Sequence, residues 1–335
     1  MRTVILALLS LVVLAGAVAF VATRSTSSDG SGGPMIEAAL DKAGLVPVSG
    51  TRLGAWVQAV ATASDKPSAY LARERLVGQP FEIVHTFHPF TQPFPTKLDR
   101  WAASGDRTLL LSWNGTSAEA ILDGTHDELI RTRARALRDL GVALYLRFWW
   151  EMNAQEKAVW ADPDTFVAAW RHVRRLFSEE GANRVAWVWC PTAEAFAASP
   201  DGAGPEADRW WPGDGWVDWV CADGYNFAPV VRGAAYRSFA QVFDPFHRWG
   251  RRTKKPLMIA EVGALERRPG EKADWLRDLA TTMAGPYADV AALVYFDSRR
   301  IIDGQVRDWR IDTSPATTQA FRTVARALQQ DLRNR

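Results

Sequence analysis

An excess of charge of one sign is the first thing missing from this chain. Its 335 residues carry 40 Lys and Arg against 38 Asp and Glu, a net charge of +2. A balance so near neutral gives no electrostatic footprint for nucleic acid. Cysteine is almost absent. Two copies make neither a disulfide scaffold nor a four-cysteine zinc site. No GxGxxG follows the first apolar run, which weakens a dinucleotide-binding reading. There is no His pair and no calcium-loop spacing around Asp223, Glu261 or Asp297, so no metal and no cofactor are expected. Internal repeats and a second domain are also lacking. With 47% hydrophobic and 23% charged residues, a disordered or coiled-coil chain is excluded.

The amino terminus is different. Residues 4–23 are almost wholly apolar, with Arg2 before them and Arg24 after. Twenty apolar residues suffice to cross a bilayer as a helix, and small-x-small triplets within the run fit a cleavage site equally well. Residues 1–24 are therefore read as a signal peptide or signal anchor. Residues 25–34, rich in Gly and Ser, are read as a flexible linker. Residues 35–335 remain for a folded domain, which either reading places outside the cytoplasm, tethered or secreted.

Eight short apolar or β-branched runs punctuate that domain, at 52–57, 82–87, 108–113, 143–149, 184–189, 217–222, 257–260 and 291–296. Amphipathic stretches lie between them, as at 125–140, 163–180 and 272–283, with a last one at 314–332. Strands alternating with helices imply parallel βα units. Eight units in one domain predict an α/β fold, a (β/α)8 TIM barrel. Such barrels carry chemistry at the carboxyl ends of their strands.

Those ends read Trp113-Asn114, Trp149-Trp150-Glu151-Met152-Asn153, Trp189-Cys190-Pro191, Asp223-Gly224-Tyr225-Asn226, Glu261-Val262-Gly263 and Phe296-Asp297-Ser298. Sixteen tryptophans, more than Met and Tyr together, add flat apolar faces with polar edges. Aromatics, amides and carboxylates on one rim suit a carbohydrate. Glu151 closes the fourth run and Glu261 the seventh, on opposite sides of an eight-stranded barrel. Glycoside hydrolysis needs one carboxylic acid to protonate the leaving oxygen and a second carboxylate to attack or to activate water. Two salt-bridged glutamates are the plain alternative.

The stretches RFWWEMN (147–153), GANRVAWVWCP (181–191), WWPGDGWVDWVCADGYN (210–226) and KPLMIAEVG (255–263) resemble glycoside hydrolase family 26. That family is largely endo-β-1,4-mannanases, with some β-1,3-xylanases and mixed-linkage β-glucanases. The resemblance runs from about residue 50 to about 325. It implies a retaining (β/α)8 enzyme with Glu151 as acid/base and Glu261 as nucleophile. It implies that Tyr225 orients the nucleophile and that Arg147 holds the local carboxylates. Trp150 stands where the family usually has His, and of the loop that follows only Trp160 matches the usual pattern.

Trp113, Trp149, Trp150, Asn153, Trp160 and Phe296 are the expected substrate contacts, and Trp189 is expected in the core. Cys190 and Cys221 end neighbouring strands and are either bridged or buried free thiols. His85 and His88 are rim contacts or structural histidines, and Asp214 and Asp218 serve turns and caps. The expected partner is a β-linked polysaccharide: mannan, β-glucan or the cell's own exopolysaccharide. The chain is expected to act as a monomer. A barrel that binds glycan without cutting it is the rival reading. A barrel for phosphorylated metabolites lacks the glycine loop it would need.

Overall fold

The computed structural model describes residues 44–333, apart from 48, 59–65, 155–156, 158, 200–201, 203, 229, 231–234 and 303. The leader and linker expected at 1–34 lie outside the described residues. Among the described residues no helix is long and apolar enough to cross a membrane.

Eight parallel strands close into a barrel: β1 (Arg52–Val57), β2 (Ile83–His88), β3 (Thr108–Trp113), β4 (Leu144–Phe148), β5 (Val185–Trp189), β6 (Trp219–Asn226), β7 (Leu257–Ala264) and β8 (Val290–Asp297). Closure is direct, since β1 pairs with both β2 and β8. The helices are α1 (Lys66–Val77), α2 (Lys97–Ala103), α3 (Ala118–Leu122), α4 (Asp127–Leu140), α5 (Pro163–Glu179), α6 (Phe239–Gly250), α7 (Glu271–Ala284) and α8 (Pro315–Arg333). A small antiparallel hairpin, β9 (Arg299–Ile302) and β10 (Gln305–Asp308), follows β8.

Local sequence explains the helices. In α5, Asp162 and Thr165 form a capping box ahead of Pro163, the first-turn position where proline's missing N–H costs nothing. Its buried face is Phe166, Ala169, Trp170, Val173 and Phe177. The spacing of three and four keeps these on one side of a helix. α4 stops at Gly141, which takes the left-handed conformation at φ 76° that glycine adopts without strain.

Strand residues alternate between two cores. Leu109, Leu111, Leu144 and Leu146 face outward into the layer beneath the helices. Ile83, Leu110, Tyr145, Val188 and Trp219 face inward and fill the barrel. The inward parity continues up each strand, so His85 and Phe87, Ser112, Arg147, Asp223 and Tyr225 all stand above that inner layer. Cys190 and Cys221 are inward, buried and joined in a disulfide.

Candidate active site

β6 and β7 run further than their apolar stretches indicate, through Asn226 and Ala264. Asp223, Tyr225 and Glu261 are therefore strand residues rather than loop residues. The β6–β7 register shifts at Ala222/Asp223, so that Ile259 pairs with Ala222 while Glu261 pairs with Asp223. Ala260 is the extra residue of this bulge. Strict alternation from Met258 would send Glu261 outward. The bulge instead turns it into the barrel, the way such insertions commonly re-aim a side chain.

Glu151 is placed by a different device. β4 ends at Phe148, and Trp149 and Glu151 both take positive φ, at 49° and 50°. Left-handed backbone is costly for side chains other than glycine. Here two hydrogen bonds hold it: the Trp149 amide donates to the Trp113 carbonyl at 2.7 Å and the Glu151 amide to the Cys190 carbonyl at 2.7 Å. The Trp149 ring lies so close to Gly115 that a Cβ there would come within 2.1 Å of it. Only glycine fits beneath that indole.

These devices bring three acids together. One carboxylate oxygen each from Glu151, Asp223 and Glu261 lie within 4.8 Å of one another. Arg147, with no exposed surface, stands among them. Its Nη1 donates to both oxygens of Asp223, at 2.6 and 2.5 Å, its Nη2 donates to Glu261, and its Nε donates to Ser112 Oγ at 2.7 Å. The hydroxyl of Tyr225 donates to the other oxygen of Glu261 at 2.5 Å. Burial, reinforced by the Glu261 charge, pushes the Tyr225 phenol well above its ordinary range, so it stays a donor. Burial also lifts the Asp223 carboxyl well above the carboxylate range, against the opposing pull of Arg147. Burial lowers Arg147, but Asp223 and Glu261 more than offset this, and it remains a cation. The three acids are close enough for a metal, yet this guanidinium already supplies the positive charge between two of them. Asp297 is elsewhere, held by Arg73 at 2.6 Å and the Ile311 amide at 2.9 Å.

The wall around the acids is aromatic. Trp56 and Phe296 stack at 4.7 Å and 12°, Phe87 meets Trp150 edge-on at 5.2 Å, and Tyr225 lies 5.8 Å from Phe296. Arg147 sits 5.5 Å from the Phe87 and Trp150 ring centres. Trp150 and Phe296 thus line the site.

The other expected contacts stand differently. Trp113 is wholly buried and Trp149 is 1% exposed. Trp113 points outward from its strand into the layer under the helices, stacked on Phe90 at 5.1 Å with its indole N–H on the Phe90 carbonyl. Trp149 packs on Phe148 and Phe166. Neither ring is open to a ligand: Trp113 occupies the outward face of its strand, and Trp149, just past the end of β4, is turned into the outer layer by its left-handed backbone. Asn153 spends both ends of its amide on Thr192, tying the β4 loop to the β5 loop. Trp160 is half-buried beside Trp149, 6.4 Å away. Trp189 is core.

His85 lies beneath the acids, its Nε2 2.7 Å from Ser112 Oγ and 3.3 Å from Arg147. Burial, then Arg147, hold it well below the usual imidazole range, so it is neutral. His88 is structural, paired with Asp99 at 3.2 Å. Asp218 accepts from the Trp187 amide and from Arg174, both at 2.9 Å.

Sequence reasoning missed Lys157. Its Nζ donates to the Trp150 carbonyl and lies 4.3 Å from the Trp150 ring centre. Burial lowers its pKa to about 8, while the Glu151 charge acts in the other direction. No motif marks it, because a lysine in a polar loop reads as a solvated charge. The Lys157→Gln variant removes a cation from beside Glu151. A carboxyl facing no ammonium keeps its proton to higher pH. The pH at which Glu151 loses its proton, followed by NMR, is therefore expected to rise in this variant, and any inflection near pH 8 to disappear. Superimposable pH profiles would show that Lys157 does not act on the acid.

A closed (β/α)8 barrel with opposed carboxylates and an aromatic wall at its carboxyl rim defines a class of carbohydrate-active barrels. The comparisons with known proteins are more particular. The family model Glycosyl hydrolase family 26 matches residues 137–262, a span that holds both Glu151 and Glu261, and the chain is a relative of that family. It is 28% identical over 287 residues to Endoglucanase H of Acetivibrio thermocellus, covering 82% of this chain and 30% of that protein. It is 29% identical over 160 residues to Beta-1,3-xylanase TXYA of a Vibrio species, covering 45% of this chain and 30% of that one. The chain thus spans about 30% of the length of these curated relatives. Among solved structures, GH26C from Muricauda matches with TM-score 0.60 at 12% identity, covering 87% of this chain and 89% of that one. A GH26 β-mannanase from Bacteroides ovatus matches with TM-score 0.59 at 13% identity, covering 87% and 92%. At such identities these likenesses speak for the fold.

Proposed function

We propose that the protein is a retaining endo-β-glycosidase acting outside the cytoplasm on a β-linked polysaccharide. The observation that carries this is the approach of one Glu151 oxygen and one Glu261 oxygen to within 4.8 Å. Retaining enzymes hold the two carboxyl groups about 5–5.5 Å apart, whereas inverting ones leave room for a water between them. Glu261 attacks the anomeric carbon as the glycosidic C–O bond breaks, and Glu151 gives its proton to the departing oxygen. Water then adds to the glycosyl ester, losing its proton to Glu151 and freeing Glu261. Tyr225 and Arg147 aim the nucleophile through their hydrogen bonds to its two oxygens.

The relatives act, by their names, on glucan and xylan, and solved neighbours on mannan. Mannan, β-glucan and an exopolysaccharide of the producing cell are the candidates. Trp150 supports a preference shifted from the family's usual one, because indole donates one hydrogen bond and accepts none. The buried Cys190–Cys221 bridge supports an oxidising compartment, with residues 4–23 as a tether or a cleaved leader. The protein is taken to act as a monomer with no cofactor or metal.

The test is hydrolysis of a panel of β-mannan, mixed-linkage β-glucan and β-1,3-xylan, with the anomer of the first-formed product read by NMR. Release of the β anomer supports double displacement. The α anomer as first product overturns retention, and glycan binding without release from any substrate favours a non-catalytic barrel.

A further inference from the structure

Next to the carboxylates, at the ends of β1 and β2, lies a cavity of about 390 Å³, within the range of roughly 300–1,000 Å³ usual for small-ligand sites. Two of its walls belong also to the site. Phe87 touches Trp150 and Arg147, and Trp56 stacks on Phe296. Its polar rim includes Lys66, Lys97, Gln92 and Thr96, and among the described residues it carries no acidic one. Arg300 lies beside the stacked pair, 5.2 Å from the Trp56 ring and 5.1 Å from Phe296.

Most arginines at this end of the barrel have acidic partners: Arg73 with Asp297, Arg237 with Glu194, Arg267 with Glu271 and Arg310 with Asp308. Lys66, Lys97 and Arg300 have none among the described residues. Flat apolar walls suit the face of a sugar ring, but a neutral sugar has no use for the two lysines at this rim. A carboxylate on the ring does.

We propose that this cavity is a subsite for an acidic sugar, a uronic acid or another carboxylate-bearing residue of the polysaccharide. The proposal rests on reading the chain as a glycosidase and narrows its substrate to an anionic glycan. Lys66 and Lys97 meet the carboxylate while Trp56 and Phe87 receive the ring.

The experiment uses cello- and manno-oligosaccharides and their C6-oxidised, carboxylate-bearing forms. Binding is measured by calorimetry on the Glu261→Ala variant, which does not turn over. The oxidised oligosaccharides are expected to bind about tenfold more tightly than the neutral ones at low salt. That preference is expected to vanish in about 1 M NaCl, where the screening length falls to about 3 Å. Adding Lys66→Gln and Lys97→Gln is expected to abolish it while leaving the affinity for neutral oligosaccharides unchanged. Equal affinity for the two forms overturns the proposal, as does a preference that survives loss of both lysines. The two readings fail separately. Cleavage of neutral glycans by the intact enzyme without any acidic preference sinks the subsite alone. An acidic preference carried by the lysines, with no cleavage of any oligosaccharide by the intact enzyme, sinks the glycosidase reading alone.

Discussion

Replacing Glu261 with alanine is expected to lower kcat by at least about 10⁴-fold, some 5.5 kcal/mol of barrel-held transition-state stabilisation. The reason is geometric. Glu261 is held by two donors, Tyr225 Oη and Arg147 Nη2, and is turned inward by a bulge. Nothing else nearby can replace it: burial keeps Asp223 above the normal carboxylate range and commits both its oxygens to Arg147. Azide should restore turnover in Glu261→Ala by filling the vacated space, and the glycosyl azide formed should have the α configuration. Glu151→Ala should also respond to azide, with a β product, because there the glycosyl ester still forms on Glu261. A β-azide from the Glu261 variant, or unchanged kcat, would reverse or remove the assignment of roles.

Arg147→Met should be the second large effect, and it acts on the folded state itself. Methionine keeps much of the volume but leaves Asp223 and Glu261 facing each other with no cation between them. Breaking a buried pair by removing one partner costs about 3–5 kcal/mol, since a charge is left uncompensated. For a domain of this size each kcal/mol lowers Tm by roughly 2–4 °C, so a fall of about 10 °C is expected in a thermal melt. The double variant Arg147→Met with Asp223→Asn should regain part of that loss, because the second change removes the buried carboxyl that depended on the guanidinium for its hydrogen bonds. Strict additivity of the two single losses would show that Arg147 and Asp223 are not energetically coupled, whatever their contacts.

The barrel was legible because its signals are local and repeated. Apolar runs at 52–57 and 108–113 coincide with β1 and β3, and the run at 257–260 is the start of β7. The polar ends of β6 and β7 were hidden for the same reason they matter. Asp223 and Glu261 look like the close of a strand, and only the ladder shows that pairing continues through them. A bulge has no composition of its own, so the inward turn of Glu261 could be read from family resemblance but not from alternation. Trp113 and Trp149 show the converse: position at a strand end places a residue at the rim, but Trp113 has the outward parity of Leu109 and Leu111, while Trp149, with the inward parity of Tyr145, is diverted into the outer core by its left-handed backbone. Parity would have found Trp56 and Phe87, two and four residues after Gly54 and Ile83 on the inward face. Lys157 had no signal of either kind, because it joins the site through the shape of a loop.

Two residues in left-handed backbone, with an indole wedged over Gly115 between them and the helices, also set a limit on improving this protein. Glycine at 149 would relax the torsion there and cost little backbone energy, yet it would delete the wedge that fixes where the following carboxyl points. Selection for heat tolerance and selection for turnover therefore pull this short segment in opposite directions. Variants that survive a heat challenge through changes at 149 should be the sluggish ones.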